Sequence, residues 1–466
     1  MQGALSWAKQ FFGTLEVAAL LRKRVVSMAA SAMESPDGTI TQTFDTHAQR
    51  EGAYRALSNP ALTQATLVRS IAAGTAQRVK AQRVVIVPVD PSSLSITDTK
   101  RAKGTGRVGS DKTPSRGFHV ISAIVVIAGV VAGLIAQQFW IRPDNAKRTH
   151  RDRTPFRNKE TARWCDVLDS VLAVLRTHAP DCRPWFQLDR GGDIQHVLRH
   201  AIEQNCLITV RSLHNRKMLD GELLHSMIRR EKACGTMMRT IRMTGGRTRQ
   251  VEFVLRSKRV SLRFRDRLGQ HKPSVMELNV VHALELGTPV REKRIEWFLL
   301  TTQAVNNESD AMMVLEAYTQ RFQIELMHHG WKSGRCNVER TQLRTAEAMQ
   351  KWATIMAAVA TEALFLTHQS RETPEAPATE YLSRAQIDAT IVLCQPKGWE
   401  PGQTPPLALV VRWIAQLGGF VTSNSGPPGK VTIGRGLEKV NIAVFALANA
   451  RAMRKQKRKI VSKKSG

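Results

Sequence analysis

The sequence predicts an α/β protein: a mixed sheet flanked by helices, with helical segments at both ends of the chain. Three observations predict it. The runs Arg83-Val-Val-Ile-Val-Pro-Val-Asp90 and Pro184-Trp-Phe-Gln-Leu-Asp189 are short, apolar and rich in β-branched or aromatic residues, the pattern of buried strands. A β-rich block spans roughly 205–302, with strands around Val251–Leu255 and Trp297–Thr301 and a turn at Thr244-Gly-Gly-Arg. Helical periodicity covers 159–178, 307–330 and 342–368, the last almost uniformly apolar and therefore expected to be buried.

The remaining elements follow in order. Residues 1–62 carry apolar and basic positions at helical spacing, broken at Pro36-Asp-Gly. Lys100 to Gly117 is a basic, glycine-rich loop. Val120 to Ala136 has only Ser122 polar, close to the lower bound for a membrane span. Its β-branched residues and Gly129 instead predict a buried hairpin, His119–Ile127 with Val130–Trp140. Arg371 to Pro377 reads as a linker, 378–450 as a smaller helical unit, and Arg451 to Gly466 as a basic tail.

Composition narrows the partners. The chain has 466 residues, 69 Lys plus Arg against 39 Asp plus Glu, a net charge of +30. A hydrophobic fraction of 42% excludes a wholly disordered chain. At about 150 residues per domain the length suggests roughly three domains. So large a basic excess implies a polyanion, and its spread along the chain favours nucleic acid over an anionic membrane surface. The six cysteines include no C-x-x-C pair, which argues against structural zinc and a disulfide framework and for reduced thiols in a cytosol. Met1 to Phe12 shows no charged region leading into an apolar one, so no signal peptide is expected.

Chemistry is suggested by carboxylates. Asp90 and Asp189 end apolar strands, where open α/β sheets place their functional crevice, and Glu325 lies on a helix far downstream. Converging carboxylates suit a pair of Mg²⁺ ions, although a strand-terminal Asp serves equally as a turn or helix cap. Tyr318, Arg321 and Glu325 stand at i, i+3 and i+7, hence on one helix face. A phenol, a guanidinium and a carboxylate in a row suit a metal ligand flanked by phosphate-gripping groups, and equally a solvated face with an Arg–Glu pair.

The spacing Tyr318-x2-Arg321-x3-Glu325-x6-Lys332 resembles the Y-R-E-K signature of bacterial insertion-sequence DDE transposases, and the chain is similar to the transposon-five transposase type. Further blocks occur in order: Glu51-Gly-Ala-Tyr-Arg with Asn59-Pro60, Val89-Asp90-x-Ser-Ser-Leu-Ser, Ser115-Arg-Gly with His119, Trp140-x-Arg142-Pro143-Asp144, Leu188-Asp189-Arg190-x-x-Asp193-Ile, Trp297-x-Leu-Leu-Thr and Leu417-Gly-Gly-Phe420. The resemblance implies an RNase H-like catalytic core over 63–370 with a β-rich insertion at about 205–302. It also implies a helical DNA-binding domain over 1–62 and a helical dimerisation region over 371–466. It implies that Asp90, Asp189 and Glu325 hold two Mg²⁺ (or Mn²⁺) ions. Tyr318, Arg321 and Lys332 would grip phosphates, Trp297 would stack a flipped base, and Arg211 and Arg24 would contact transposon-end DNA. The implied activity is cut-and-paste transposition by nicking, hairpin formation and strand transfer on transposon-end and target DNA. The enzyme would act as a homodimer in a bacterial, nucleoid-associated cytoplasmic setting, with no membrane. A catalytically inactive DNA-binding derivative acting as an inhibitor is the alternative, and a plain nuclease a lesser one.

Five features depart from the family or compete with it. The second-Asp block usually reads D-R-E-A-D but here is Asp189-Arg-Gly-Gly-Asp193, whose glycines are expected to loosen a helix start by roughly 1 kcal/mol each. Leu20 and Leu21 occupy aligned arginine positions beside Arg22, Lys23 and Arg24, and the tryptophans expected after Leu417-Gly-Gly-Phe are missing. Gly104-x-Gly106-x-x-Gly109 matches a dinucleotide fingerprint in letters, but no βαβ unit surrounds it, so a basic flexible loop near DNA is expected. His328-His329 point to different helix faces, which speaks against a shared metal.

Overall fold

The computed structural model describes residues 2–109, 114–142, 156–242, 248–264, 274–287, 292–372 and 374–421, with short helical stretches between 432 and 447. The turn at Thr244-Gly-Gly-Arg, Pro143-Asp144 and the basic tail from Arg451 lie outside these residues. The chain divides into two compact units. The first comprises residues 1–74, 94–105 and 327–466, and the second residues 75–93 and 106–326. No helix among the described residues is long and apolar enough to cross a membrane.

In chain order the helices are α1 (Gln2–Phe12), α2 (Ala19–Glu34), α3 (Ile40–Thr43), α4 (His47–Ser58), α5 (Gln64–Val79), α6 (Arg163–His178), α7 (Gln195–Glu203), α8 (Leu224–Arg230), α9 (Glu308–Thr319), α10 (Phe322–Lys332), α11 (Ala346–Glu372), α12 (Arg384–Cys394) and α13 (Leu407–Leu417). The strands are β1 (Val84–Ser95), β2 (Gly106–Gly109), β3 (Pro114–Ile127), β4 (Val130–Trp140), β5 (Arg183–Leu188), β6 (Leu207–Arg211), β7 (Gly235–Arg242), β8 (Thr248–Phe264), β9 (Ser274–Leu286) and β10 (Glu296–Thr301).

All ten strands join one mixed sheet in the order β2-β3-β1-β5-β6-β10-β9-β8-β7, with β4 also paired to β3. The expected hairpin is present: Ile127 pairs with Val130 across a two-residue turn. Ala128 and Gly129 there have φ of 47° and 83°, the left-handed pair that suits the twist of a tight hairpin. β1, β5 and β6 run parallel, and Val85, Val87, Val89, Phe186, Leu188, Ile208 and Val210 are buried, as strands covered on both faces require. α6 buries Trp164, Val167, Leu168, Val171 and Leu175 at helical spacing. β10 pairs antiparallel with β6 and with β9, so the sheet continues without interruption into the long β8–β9 ladder. β6 is thus a partner of β5, although the sequence had grouped 205–302 into one β-rich block.

A buried polar chain fixes register where these strands meet. Trp185 Nε1 donates to Thr209 Oγ1 at 2.9 Å, Thr209 Oγ1 to Thr301 Oγ1 at 3.1 Å, and Thr301 Oγ1 to the Ile208 carbonyl at 2.8 Å. With each member partnered, the chain costs little to bury and disfavours slipped pairings. Over it packs a cluster of Trp185, Phe253, Leu255, Leu299, Val314, Leu315 and Tyr318, which seats α9 on the sheet.

In the first unit, α11 carries buried Trp352, Ile355, Met356 and Val359, as its apolar pattern requires. Trp352 Nε1 donates to the Gly38 carbonyl at 3.1 Å, and Lys351 Nζ caps the carbonyls of Leu57 (2.9 Å) and Asn59 (3.1 Å). α12 starts on a capping box between Ser383 and Gln386, worth about 1 kcal/mol, and shares a core with α13 through Ile387, Ile391, Val410 and Ile414. In and beside the expected flexible loop at 100–117, the described residues carry specific structure. Asp98, 6% exposed, accepts the Thr105 hydroxyl at 2.6 Å and the Ala102 amide at 3.0 Å, and Gly106–Gly109 forms β2. All six cysteines are free, and burial pushes the Cys182 and Cys206 thiols up to about 11, which leaves them unreactive near neutrality.

Candidate active site

The site is built where the β1–β5 ladder stops. Its last register pair is Val89 with Leu188, so the next residues, Asp90 and Asp189, stand side by side. β1 itself continues to Ser95, so Asp90 is not at a strand end as the sequence suggested; it sits where the pairing to β5 ends. Asp189 caps the 3-10 turn Arg190–Gly192 by accepting the Gly191 amide at 2.8 Å. Burial first, and the neighbouring Asp90 second, push the Asp189 carboxyl above its ordinary range. The Arg321 guanidinium and the Gly191 amide pull the other way without cancelling this crowding, which is the electrostatic setting a bound cation relieves.

The two glycines do not loosen a helix start, because α7 begins only at Gln195. A Cβ on Gly192 would meet the Leu188 side chain at 2.6 Å, so close packing against β5 requires glycine there.

The third carboxylate arrives from the other end of the second unit. Tyr318, Arg321 and Glu325 do not lie on one helix, contrary to the sequence reading: α9 stops at Thr319 and α10 starts at Phe322. Between them the backbone tightens, with Gln320 N–H bonding to the Ala317 carbonyl and Arg321 N–H to the Tyr318 carbonyl. Two glutamines clamp this junction onto the β3–β4 turn: Gly129 N–H donates to Gln320 Oε1 at 3.2 Å, and Gln323 Nε2 donates to the Gly129 carbonyl at 2.9 Å. Neither glutamine was singled out by sequence reasoning, since no chemistry attaches to them.

The junction delivers Arg321 between the carboxylates. Its guanidinium donates to Asp90 Oδ1 at 3.3 Å through Nη1 and to Glu325 Oε1 through Nη2. Tyr318, 5% exposed, turns its hydroxyl to Arg321, and burial pushes that hydroxyl's pKa up. Arg211 joins the same group, its guanidinium pushed down chiefly by burial, with the Tyr318 phenol and the charged Arg190, Arg321 and Asp189 as its neighbours. Among the described residues no three His, Cys, Asp or Glu side chains are already closed around one point, because Arg321 stands between Asp90 and Glu325.

Trp297 borders this cluster. Its ring packs against Phe253 at 5.5 Å and edge-on to Tyr318 at 5.4 Å, and the Arg211 guanidinium lies 5.8 Å from its centroid. Strand alternation turns Phe298 the other way, between the imidazoles of His225 (3.9 Å) and His282 (4.7 Å). Glu296, before Trp297, receives Arg229 through two 2.8 Å bonds and contacts His282 at 2.9 Å, which holds its carboxyl down at about 2. Below the site, Asp193 accepts the Leu213 amide at 2.7 Å, the His214 amide at 3.1 Å and Arg216 Nη1 at 2.7 Å, anchoring the loop after Arg211.

Two expected DNA contacts belong to the first unit. Lys332 faces Glu339 at 3.9 Å. Arg24 fills the space over Gly52 and, with His47, Glu51 and Arg55, lines a cavity of about 670 Å³ between α2 and α4. His328 is buried and His329 is not, which agrees with their pointing to different faces.

The histidines around Phe298 give a pH dependence. Burial pushes His225 from 6.5 to about 4, so the unfolded chain binds more protons between those values. Stability contributed by neutral His225 is therefore present above pH 6.5 and lost as the pH falls toward 4. The urea midpoint should drop across this window, and His225→Gln should reduce the slope. An unchanged slope in the variant would assign the loss to other groups.

No protein-family model matches the sequence. Among solved structures the chain is similar to the piggyBac transposase in a synaptic complex with hairpin DNA, at a TM-score of 0.39 and 10% identity, over 80% of this chain and 77% of that one. A likeness that distant leaves the function to the residues of the site.

Proposed function

We propose that the chain is a DNA transposase of the DDE type, related to the bacterial Y-R-E-K enzymes, with Asp90, Asp189 and Glu325 as its catalytic carboxylates. The observation that carries this reading is the meeting of Asp90 and Asp189 at the end of the β1–β5 ladder, with Glu325 joined to Asp90 through Arg321. The frame supports it too: an antiparallel β3–β4 hairpin and the parallel strands β1, β5 and β6 in one mixed sheet suit an RNase H-like core, and β7–β10 suit its β-rich insertion.

Asp90, Asp189 and Glu325 would hold two divalent cations, Mg²⁺ or Mn²⁺, which take oxygen ligands, once Arg321 leaves Asp90 and Glu325. Such ions supply a more acidic water and stabilise charge on the attacking and leaving oxygens. The chain's own residues account for the rest. Tyr318, Arg321 and Arg211 are a phenol and two guanidiniums set to hold phosphates, and Lys332 and Arg24 of the first unit are further candidate phosphate contacts. In the reaction proposed, water attacks phosphorus at each transposon end and the 3′-oxygen leaves. That 3′-hydroxyl attacks the opposite strand to form a hairpin, water reopens it, and the 3′-hydroxyl joins target DNA. Each step exchanges one P–O bond for another, so one site serves them in turn. The net charge of +30 suits a homodimer holding two DNA ends.

The test is nicking of duplexes carrying the inverted repeats that flank the coding region, with Mg²⁺ and with EDTA. Metal-dependent nicks and hairpins are expected. Specific binding without cleavage would identify an inhibitory derivative instead, and hydrolysis without strand transfer a nuclease.

Trp297 separates the steps. A hairpin requires a base near the cleaved end to leave the stack, and an indole platform is worth roughly 1–3 kcal/mol per base. Trp297→Ala is expected to nick nearly normally and to accumulate nicked ends with few hairpins, read on denaturing gels. Equal loss of both steps would make Trp297 a core residue only.

A further inference from the structure

Among the carboxylates, Arg321 is placed where a cation would go. Its side chain is 15% exposed, and the guanidinium occupies oxygens of both Asp90 and Glu325. A divalent ion and a guanidinium cannot share those lone pairs, and two cations at contact distance repel. We propose that Arg321 is a resident counter-cation that keeps divalent ions out of the carboxylate cluster until a DNA phosphate draws the guanidinium away. The inference rests on the reading of this cluster as a metal site.

Arg321 is placed to make that exchange. It sits at the junction between α9 and α10, whose position the Gln320 and Gln323 clamps on Gly129 hold fixed, so the side chain can swing without moving Glu325. A planar guanidinium binds phosphate as well as carboxylate. The exchange is balanced in charge: the guanidinium leaves the carboxylates for the phosphate, and the carboxylates take the metal. Metal affinity and DNA affinity are then coupled, and the coupling is reciprocal. Free protein carries no loaded nuclease site.

Mn²⁺ binding to the full chain, followed by the loss of the free-ion spin-resonance signal, tests this without reference to activity. Arg321→Ala and Arg321→Gln are expected to bind Mn²⁺ without DNA about tenfold or more tightly than the unaltered chain. Adding a short end duplex should tighten binding by the unaltered chain and not by the variants, with Asp90→Asn on the same duplex correcting for ions held by DNA. If both variants bind no better than the unaltered chain while Asp90→Asn loses Mn²⁺, the gate is wrong and the metal site stands. If no protein binds Mn²⁺ beyond the Asp90→Asn level, with or without DNA, the metal site itself is wrong.

Discussion

Asp90→Asn is expected to slow strand nicking by about 10³-fold or more, equivalent to ~4 kcal/mol of barrier, with DNA binding retained. Asparagine keeps the size of the side chain and removes its charge. The pair with Asp189 would then hold one carboxylate instead of two, and Arg321 would lose its ion pair with residue 90 while keeping that with Glu325. Because the lost charge is negative, phosphate binding has no reason to weaken. Mobility shifts and nicking gels on one end duplex measure both quantities. Nicking at the unaltered rate would remove Asp90 from the chemistry.

Asp193→Ala is expected to cost stability, by about 3–5 kcal/mol in urea denaturation. The Asp193 side chain is 0% exposed and serves two amides and Arg216, itself 12% exposed. Alanine would leave the amides of Leu213 and His214 without their carboxylate and would remove the ion pair of Arg216, which keeps its bond to the residue-193 carbonyl. A loss below about 1 kcal/mol would show that solvent reaches these groups in the variant.

How much could be read in advance followed the range of the interaction. The β3–β4 hairpin was legible because two β-branched runs flank a glycine, a purely local pattern. That the two aspartates follow neighbouring apolar runs was legible because such a run is equally local, although β1 runs on past Asp90 to Ser95. The break between α9 and α10 was not, since Thr319-Gln-Arg-Phe322 holds neither proline nor glycine. The partner of the break is Gly129, nearly two hundred residues earlier, and no periodicity reports it. The role of β6 was hidden for the same reason: a five-residue apolar run says strand and does not say beside which strand. Asp193 entered the sequence reading only as a letter in a motif. Its work depends on Arg216, 23 residues on.

The meeting of Asp90 with Arg321 has a consequence for synthesis on the ribosome. The two residues are 231 positions apart, and Thr209 and Thr301, which lock β6 to β10, are 92 apart. At about 5–20 residues per second, Asp90 emerges on the order of 10–50 s before its arginine exists. Until residues 296–301 are made β6 presents an unpaired edge, and Asp90 lacks the Arg321 guanidinium that meets it in the finished fold. Until about two thirds of the chain is made, Asp90 therefore waits for its arginine. A product truncated before residue 321 would lack both Arg321 and Glu325.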